Sequence, residues 1–407
     1  MENGGPQSPG FCIIPWIHMH LGADGSVFSC IEATSSGNPF GNIHQNSFLE
    51  IFNSDRIKEL RLDMLAGNLP LQCKKCHMQE SFGKVSRRVQ NNNDFKDDLK
   101  LLETMKPDGA LPELKLRYMD FRFSNICNLR CKMCMPQNSS SLFEDFEQIY
   151  GPQGLPKNIR LISDHPELFK MTLDQLQNVK IIYFAGGEPL LMEEHYQMLK
   201  ELIRIGRNTE VHLAYNTNFT KLALGKHDVI SLWEKFPKLS LYISLDGQGE
   251  QLSYLRKGAE WEEILKNREI VREKVPHAKF TVTPVLSAMN CLEMVKLYKT
   301  LVSKRFIEPE NFQLYFLYEP TFFSVHILPE EIKQKAILEY EKLLKALRNI
   351  LPEESATINS FSSAVNLLKA QDSTNLIPEF QKHIRLFDQA QETNFLEAFP
   401  ELKSLLS

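Results

Sequence analysis

A parallel α/β fold, either a sheet or, with six strands, an incomplete (β/α)6 barrel, is predicted by three observations. From about residue 114 onward, short apolar runs alternate with helix-like stripes. After the second run the repeat is roughly 30–40 residues, the size of a βα unit. Glycine-rich and polar segments then fall at the carboxyl ends of the predicted strands, the functional face of a βα barrel.

The elements follow in order. Leu114, Leu116 and Tyr118 alternate with Lys115 and Arg117, as a strand requires. The run from Val179 to Ala185 reads as a buried strand ending at Gly186-Gly187. Met192, Tyr196, Leu199 and Ile203 share one face of the helix after it, and Gly206 is its stop signal. Strands are expected at Val211–Tyr215, Leu239–Leu245, Phe280–Leu286 and Phe312–Phe316, with helices around Val229–Phe236 and Trp261–Lys274. The stretch Ser139–Leu176 is too long for a simple crossover and needs an insertion with helices.

The flanks read differently, giving expected domains 1–110, 111–320 and 321–407. Ala23-Asp24-Gly25-Ser26 is a tight-turn signal, so a hairpin is expected between Cys12 and Cys30. Leu49 to Leu65 reads as one amphipathic helix, and the polar segment Asn91–Gly109 reads as a linker. Past Pro329, Ile332, Ala336, Leu343, Leu347 and Ile350 form one apolar helical stripe that suits core packing.

Composition excludes several classes. The 407 residues are 43% hydrophobic and 24% charged, as in a globular protein. A net charge of −4 and the lack of an aromatic-basic stripe argue against a nucleic-acid partner. No run approaches the ~20 apolar residues of a membrane span, and MENGGPQSPG lacks the basic start of a signal peptide. A cytoplasmic protein with no membrane partner is expected. In that compartment its eight cysteines point to metal or redox chemistry before disulfides.

Three of the cysteines, Cys127, Cys131 and Cys134, lie on one short loop with the spacing C-x3-C-x2-C. A zinc site normally takes four protein ligands, often as two separated pairs. Three thiolates on one tight loop suit an iron–sulfur cube with one iron left open. Cys12, Cys30, Cys73 and Cys76 make a second set. Cys291 stands alone at a predicted helix start and reads as a small buried hydrophobe.

The run CNLRCKMC resembles the signature of the radical S-adenosylmethionine (radical SAM) superfamily, on the loop after the first barrel strand. That resemblance implies that Cys127, Cys131 and Cys134 hold three irons of a 4Fe–4S cluster whose open iron binds the amino and carboxylate groups of SAM. Met133 stands where the superfamily often has an aromatic residue, and a methionine there can pack beside adenine. Gly186-Gly187-Glu188-Pro189 resembles the motif that receives the SAM ammonium. Ser244 and Arg256 resemble a ribose-binding serine and a carboxylate-pairing arginine, whose planar fork suits that partner. Asn216 and Asn218 resemble polar positions near the SAM sugar.

The setting of Cys12, Cys30, Cys73 and Cys76 resembles a twitch domain, the shortened SPASM module. The resemblance implies an auxiliary 4Fe–4S cluster, although four thiolates could also staple a small domain around zinc. His18, His20 and His77 are not needed as ligands once the cysteines fill the site. Lys84, Arg87 and Arg88 are expected on a solvated face.

The resemblance implies an enzyme that takes an electron from a flavodoxin- or ferredoxin-like donor. It would cleave SAM reductively and abstract hydrogen from a peptide, protein or small-molecule substrate, a peptide or protein being preferred. The alternatives are a dehydrogenase or epimerase of a carbohydrate-type metabolite and, in another class, a non-enzymatic iron–sulfur or zinc-stabilised protein. No catalytic acid, base or radical-quenching residue can be named from the sequence.

Overall fold

The computed structural model describes residues 8–36, 38–81, 85–152, 154 and 156–406. The chain divides into two compact units. One comprises residues 1–124, 159–186 and 194–213; the other comprises 125–158, 187–193 and 214–407.

In the first unit, the Ile181–Phe184 strand pairs in parallel with Tyr118–Phe121, with Tyr118 opposite Ile181. Tyr118–Phe121 pairs in parallel with His20–Leu21. His20–Leu21 turns at Asp24-Gly25 into the antiparallel Ser26–Phe28 strand, as expected, and Gly41–Asn42 adds a third short strand beyond it. Gly25 has φ +81°, so the turn requires glycine there.

The second unit repeats the parallel theme. Leu239–Ile243 pairs with Lys279–Val282, and Val285–Leu286 with Tyr315–Phe316. The His212–Thr217 strand runs from the first unit into the second. Helices Trp261–Lys274 and Met294–Ser303 follow their strands, and Glu330–Leu347, Ala356–Ala370 and Ile377–Gln391 complete the chain. This is the mostly parallel α/β architecture of a partial TIM-type barrel, with strands at all six expected places. None of the described helices is long and apolar enough to cross a membrane.

Four expectations need correction. The first strand is expected over Leu114–Tyr118 but runs from Tyr118 to Phe121, and all four of its residues are buried, as in a parallel strand covered on both faces. The helix expected over Leu49–Leu65 is two, Phe48–Phe52 and Asp55–Leu65. The break lies where the Asn53 amide donates to the Leu111 carbonyl at 2.9 Å and accepts from the Leu111 N–H at 2.9 Å. The Asn91–Gly109 segment is no linker: it carries the end of helix Arg87–Asp94 and the 3-10 segment Lys96–Thr104. Asp98, buried within it, pairs with Arg117 at 3.0 Å and Lys180 at 2.7 Å. Finally, Ile350 is 65% exposed and lies beyond its helix, whereas Ile332, Ala336, Leu343 and Leu347 are buried as expected.

Arg61 organises the first unit. It is fully buried, and its guanidinium donates to the carbonyls of Pro15 (3.0 Å), Phe52 (2.9 Å) and Gly109 (3.0 Å). Burial lowers its pKa to about 9, so it stays charged at neutral pH. One side chain thereby joins three segments, including the Ile14–Ile17 helix that follows Cys12. Arg61→Met keeps the bulk but leaves three carbonyls without that donor. At about 1–3 kcal/mol for each buried unsatisfied group, the loss should be at least ~3 kcal/mol, read as a lower urea midpoint.

Candidate metal and cofactor site

In the second unit, a serine run pins the loop carrying Cys127, Cys131 and Cys134. Ser139 Oγ donates to the Leu129 carbonyl at 2.7 Å, and Ser141 Oγ to the Cys127 carbonyl at 2.7 Å. The Cys127 N–H donates to Ser140 Oγ at 3.3 Å. Arg130–Cys131 also forms a short antiparallel ribbon with Arg256–Lys257, Cys131 opposite Arg256.

Two further predicted residues reach the cysteine sulfurs. Arg256 Nη1 lies 3.7 Å from Cys131 Sγ, and Asn218 Nδ2 lies 3.8 Å from Cys127 Sγ. Asn218 also donates to Asn128 Oδ1 at 3.0 Å. The Arg256 Nε is held by buried Asp246 at 2.7 Å, and Asp246 accepts from the Val285 N–H at 2.7 Å. Asp246, two residues past Ser244, is a site residue that the sequence does not signal, because nothing local shows that its carboxylate faces Arg256. Nor does it signal the serines at 139–141, because hydroxyl staples leave no spacing signature.

Gly187 and Glu188 meet the same loop. A Cβ at Gly187 would lie 2.2 Å from the Ile126 carbonyl oxygen, so only glycine fits. The Glu188 N–H donates to that same carbonyl at 2.7 Å. The Glu188 carboxylate accepts from Thr217 Oγ1 at 2.7 Å, the Asn218 N–H at 2.8 Å and the Leu190 N–H at 3.1 Å. Pro189 opens the short turn that delivers Leu190. Asn216, Ser244 and Met133 are half-buried, and the Ser244 N–H donates to the Thr217 carbonyl at 3.0 Å. Gly186 belongs to the first unit, where its φ is +119°, again a conformation suited to glycine.

The second cysteine set lies wholly in the first unit. Cys12, Cys30, Cys73 and Cys76 line one cavity with Glu32, Arg87, Arg88 and Tyr118. Cys12 precedes the Ile14–Ile17 helix, Cys30 precedes a 3-10 turn, and Cys73 and Cys76 flank the start of helix Lys74–Ser81. Backbone N–H groups therefore point at sulfur: Ile14 at Cys12, Glu32 and Ala33 at Cys30, and Arg88 at Cys76. Among the described residues, no three His, Cys, Asp or Glu side chains are gathered around one ion. The four thiols ring a cavity instead, a layout suited to the corners of a cube.

Arg87 and Arg88, expected on a solvated face, are turned toward this cavity. Arg88 pairs with Glu80 at 2.6 Å and Arg87 with Glu32 at 3.1 Å. Lys84 lies outside the described residues. His18 and His20 are buried structural groups: His18 stacks on Tyr118 with centroids 4.4 Å apart, and His20 pairs with Asp120 at 3.1 Å. His77 lies 3.8 Å from Glu80. Cys291 is fully buried, and its carbonyl accepts from the Tyr340 hydroxyl.

Comparison with known proteins follows the same division. The model of the radical SAM superfamily matches residues 121–300, and that of SPASM, an iron–sulfur cluster-binding domain, matches residues 12–77. GTP 3′,8-cyclases from Clostridium botulinum are 27% identical over 158 residues, which is 38% of this chain. The chain spans 43% of the length of those curated relatives. Similar solved structures include anSMEcpe with bound AdoMet (20% identity, TM-score 0.40, covering 56% of this chain and 60% of that one). Streptococcus suis SuiB bound to S-adenosylmethionine is another (12% identity, TM-score 0.39, covering 72% and 63%).

Burial pushes the Glu188 carboxyl up to about 7, although three donors favour its charged form. The folded chain therefore keeps a proton that the unfolded chain releases near 4.5. This group's contribution to stability is full below about pH 4.5 and is lost as pH rises toward 7, on the order of 3 kcal/mol. Urea unfolding of the metal-free chain from pH 4.5 to 8 should show that decline, and Glu188→Gln should flatten it.

Proposed function

We propose, for a chain that belongs to the radical SAM superfamily and carries a SPASM-type iron–sulfur cluster-binding domain, that it cleaves S-adenosylmethionine reductively to start radical chemistry on a peptide or protein. The observation that carries this reading is the loop itself. It presents three cysteines, the sulfurs of two of which are met by Arg256 and Asn218, beside a Gly-Gly-Glu turn in which only glycine fits at 187.

Cys127, Cys131 and Cys134 would hold three irons of a 4Fe–4S cluster, which when bound would supply the electron for reductive cleavage of SAM. The chain's own residues do the positioning. Glu188 fixes the Thr217-Asn218 turn, and an incoming ammonium would favour its charged form over the protonated one that burial favours. Arg256 carries five N–H donors, more than its contacts to Asp246 and Cys131 use, so its fork can also meet the SAM carboxylate. Asn216, Ser244 and Met133 stand for the ribose and adenine. Gly186 and Pro189 shape the turn around Glu188.

Cys12, Cys30, Cys73 and Cys76 are assigned to an auxiliary 4Fe–4S cluster. N–H groups aimed at its sulfurs would favour the more negative state of such a cluster, while Glu32 and Glu80 offset the charges of Arg87 and Arg88. Such a site suits acceptance of the electron left by substrate oxidation. An electron donor of the flavodoxin or ferredoxin type completes the cycle.

Anaerobically reconstituted chain should carry about eight irons and form 5′-deoxyadenosine from SAM when given dithionite. Replacing Cys127, Cys131 and Cys134 by Ala should remove half the iron and all cleavage. Replacing the other four should remove the other half and leave cleavage. Wild-type chain that binds iron but never cleaves SAM defeats the reading, and about four irons plus one zinc defeats the auxiliary cluster alone.

A further inference from the structure

We infer that the C-terminal segment is a latch on the cysteine loop, with Gln391 and Thr393 as positioning residues that set Cys131 and Cys134 through Lys132 and Arg130. The inference rests on the reading of that loop as the seat of the SAM-binding cluster.

Lys132 lies between Cys131 and Met133, yet only 2% of it is exposed. A buried ammonium demands acceptors, and these fix the lysine to whatever element supplies them. Lys132 Nζ donates to Gln391 Oε1 at 2.6 Å and to Thr393 Oγ1 at 3.0 Å. It also lies 4.1 Å from the centre of the Tyr254 ring. Were packing alone required, a methionine or leucine would serve.

Gln391 is used at both ends. Its Nε2 donates to the Arg130 carbonyl at 2.9 Å and to Asp145 Oδ2 at 2.8 Å. Asp145 Oδ1 in turn accepts from Arg130 Nη1 at 2.9 Å. One glutamine thus bonds the residues on both sides of Cys131. The geometry of the chain end is itself fixed. Gln391 is the last residue of helix Ile377–Gln391, and Glu392 at φ +52° turns the chain so that Thr393 faces back. Thr393 Oγ1 donates to Asp388 Oδ1 at 2.8 Å, and the Phe395 N–H to Asp388 Oδ2 at 2.9 Å.

The test compares wild type with Gln391→Met and Thr393→Val in the full chain. In metal-free protein, hydrogen exchange by mass spectrometry should quicken roughly tenfold over residues 128–136 in Gln391→Met, and less in Thr393→Val. Residues 71–81 should be unchanged. In iron-loaded protein, the electron paramagnetic resonance spectrum of the reduced SAM-binding cluster should shift while the auxiliary signal does not. If Gln391→Met unfolds globally, exchange quickens in both segments, and Thr393→Val, which removes one acceptor and keeps the helix, decides. Unchanged exchange over 128–136 in folded variants overturns the latch. Because exchange is read without iron, wild-type chain that fails to cleave SAM overturns the functional reading and leaves the latch intact.

Discussion

Burial raises the thiol pKa at each of the seven clustered cysteines, and both sites depend on how that cost is met. Cys30 is pushed up to about 11, and Cys73 and Cys134 to about 12, in each case by desolvation first. At neutral pH such thiols stay protonated, and neighbouring sulfurs raise one another further when charged. Only a strongly positive centre can turn them all into thiolates, and binding it must release protons. Buried cysteines grouped this closely are poor nucleophiles and good ligands.

The surrounding backbone is arranged around that constraint. Sulfur is met by N–H groups at the starts of short helices in the first unit, and by Arg256 and Asn218 in the second. These donors favour thiolate and lower the cost that desolvation imposes. Each is held in turn by something rigid: Arg256 by Asp246, the Asn218 turn by Glu188, and the Arg88 segment by Glu80. Donors fixed before metal arrives need not reorganise when it does.

The candidate ligands and their neighbours were legible as a pattern because such chemistry restricts spacing. C-x3-C-x2-C, Gly-Gly-Glu at a strand end, and a strand-end serine with a later arginine are local patterns, and the strands between them keep a regular period. What stayed hidden was tertiary. Asp98 gave Asn91–Gly109 the look of a solvated linker, yet it is buried against Arg117 and Lys180, which the sequence alone does not bring together. Arg87 and Arg88 looked solvated for the same reason. Asp246 was in view as a letter but not as a partner, since nothing local says that its carboxylate faces Arg256. The stripe past Pro329 predicted a helix and its buried face, but not that the chain end reaches back to the cysteine loop.

That return explains an arrangement of charge around the loop that would otherwise look wasteful. The cations within or against it include Arg130, Lys132 and Arg256. Two are matched by carboxylates, Arg130 by Asp145 and Arg256 by Asp246. The hydrogen-bond acceptors of Lys132 are a neutral amide and a hydroxyl, and burial, aided by the Lys257 and Arg130 charges and opposed by Asp388 and Asp145, lowers its pKa to about 7. A cube held by these three thiolates would be anionic, and a protonated lysine one residue from Cys131 would favour it. An aspartate in place of Gln391 would satisfy the ammonium better but cancel that charge and repel Asp145. Glutamine is the side chain that accepts from the lysine, donates to the carboxylate, and leaves the loop its charge.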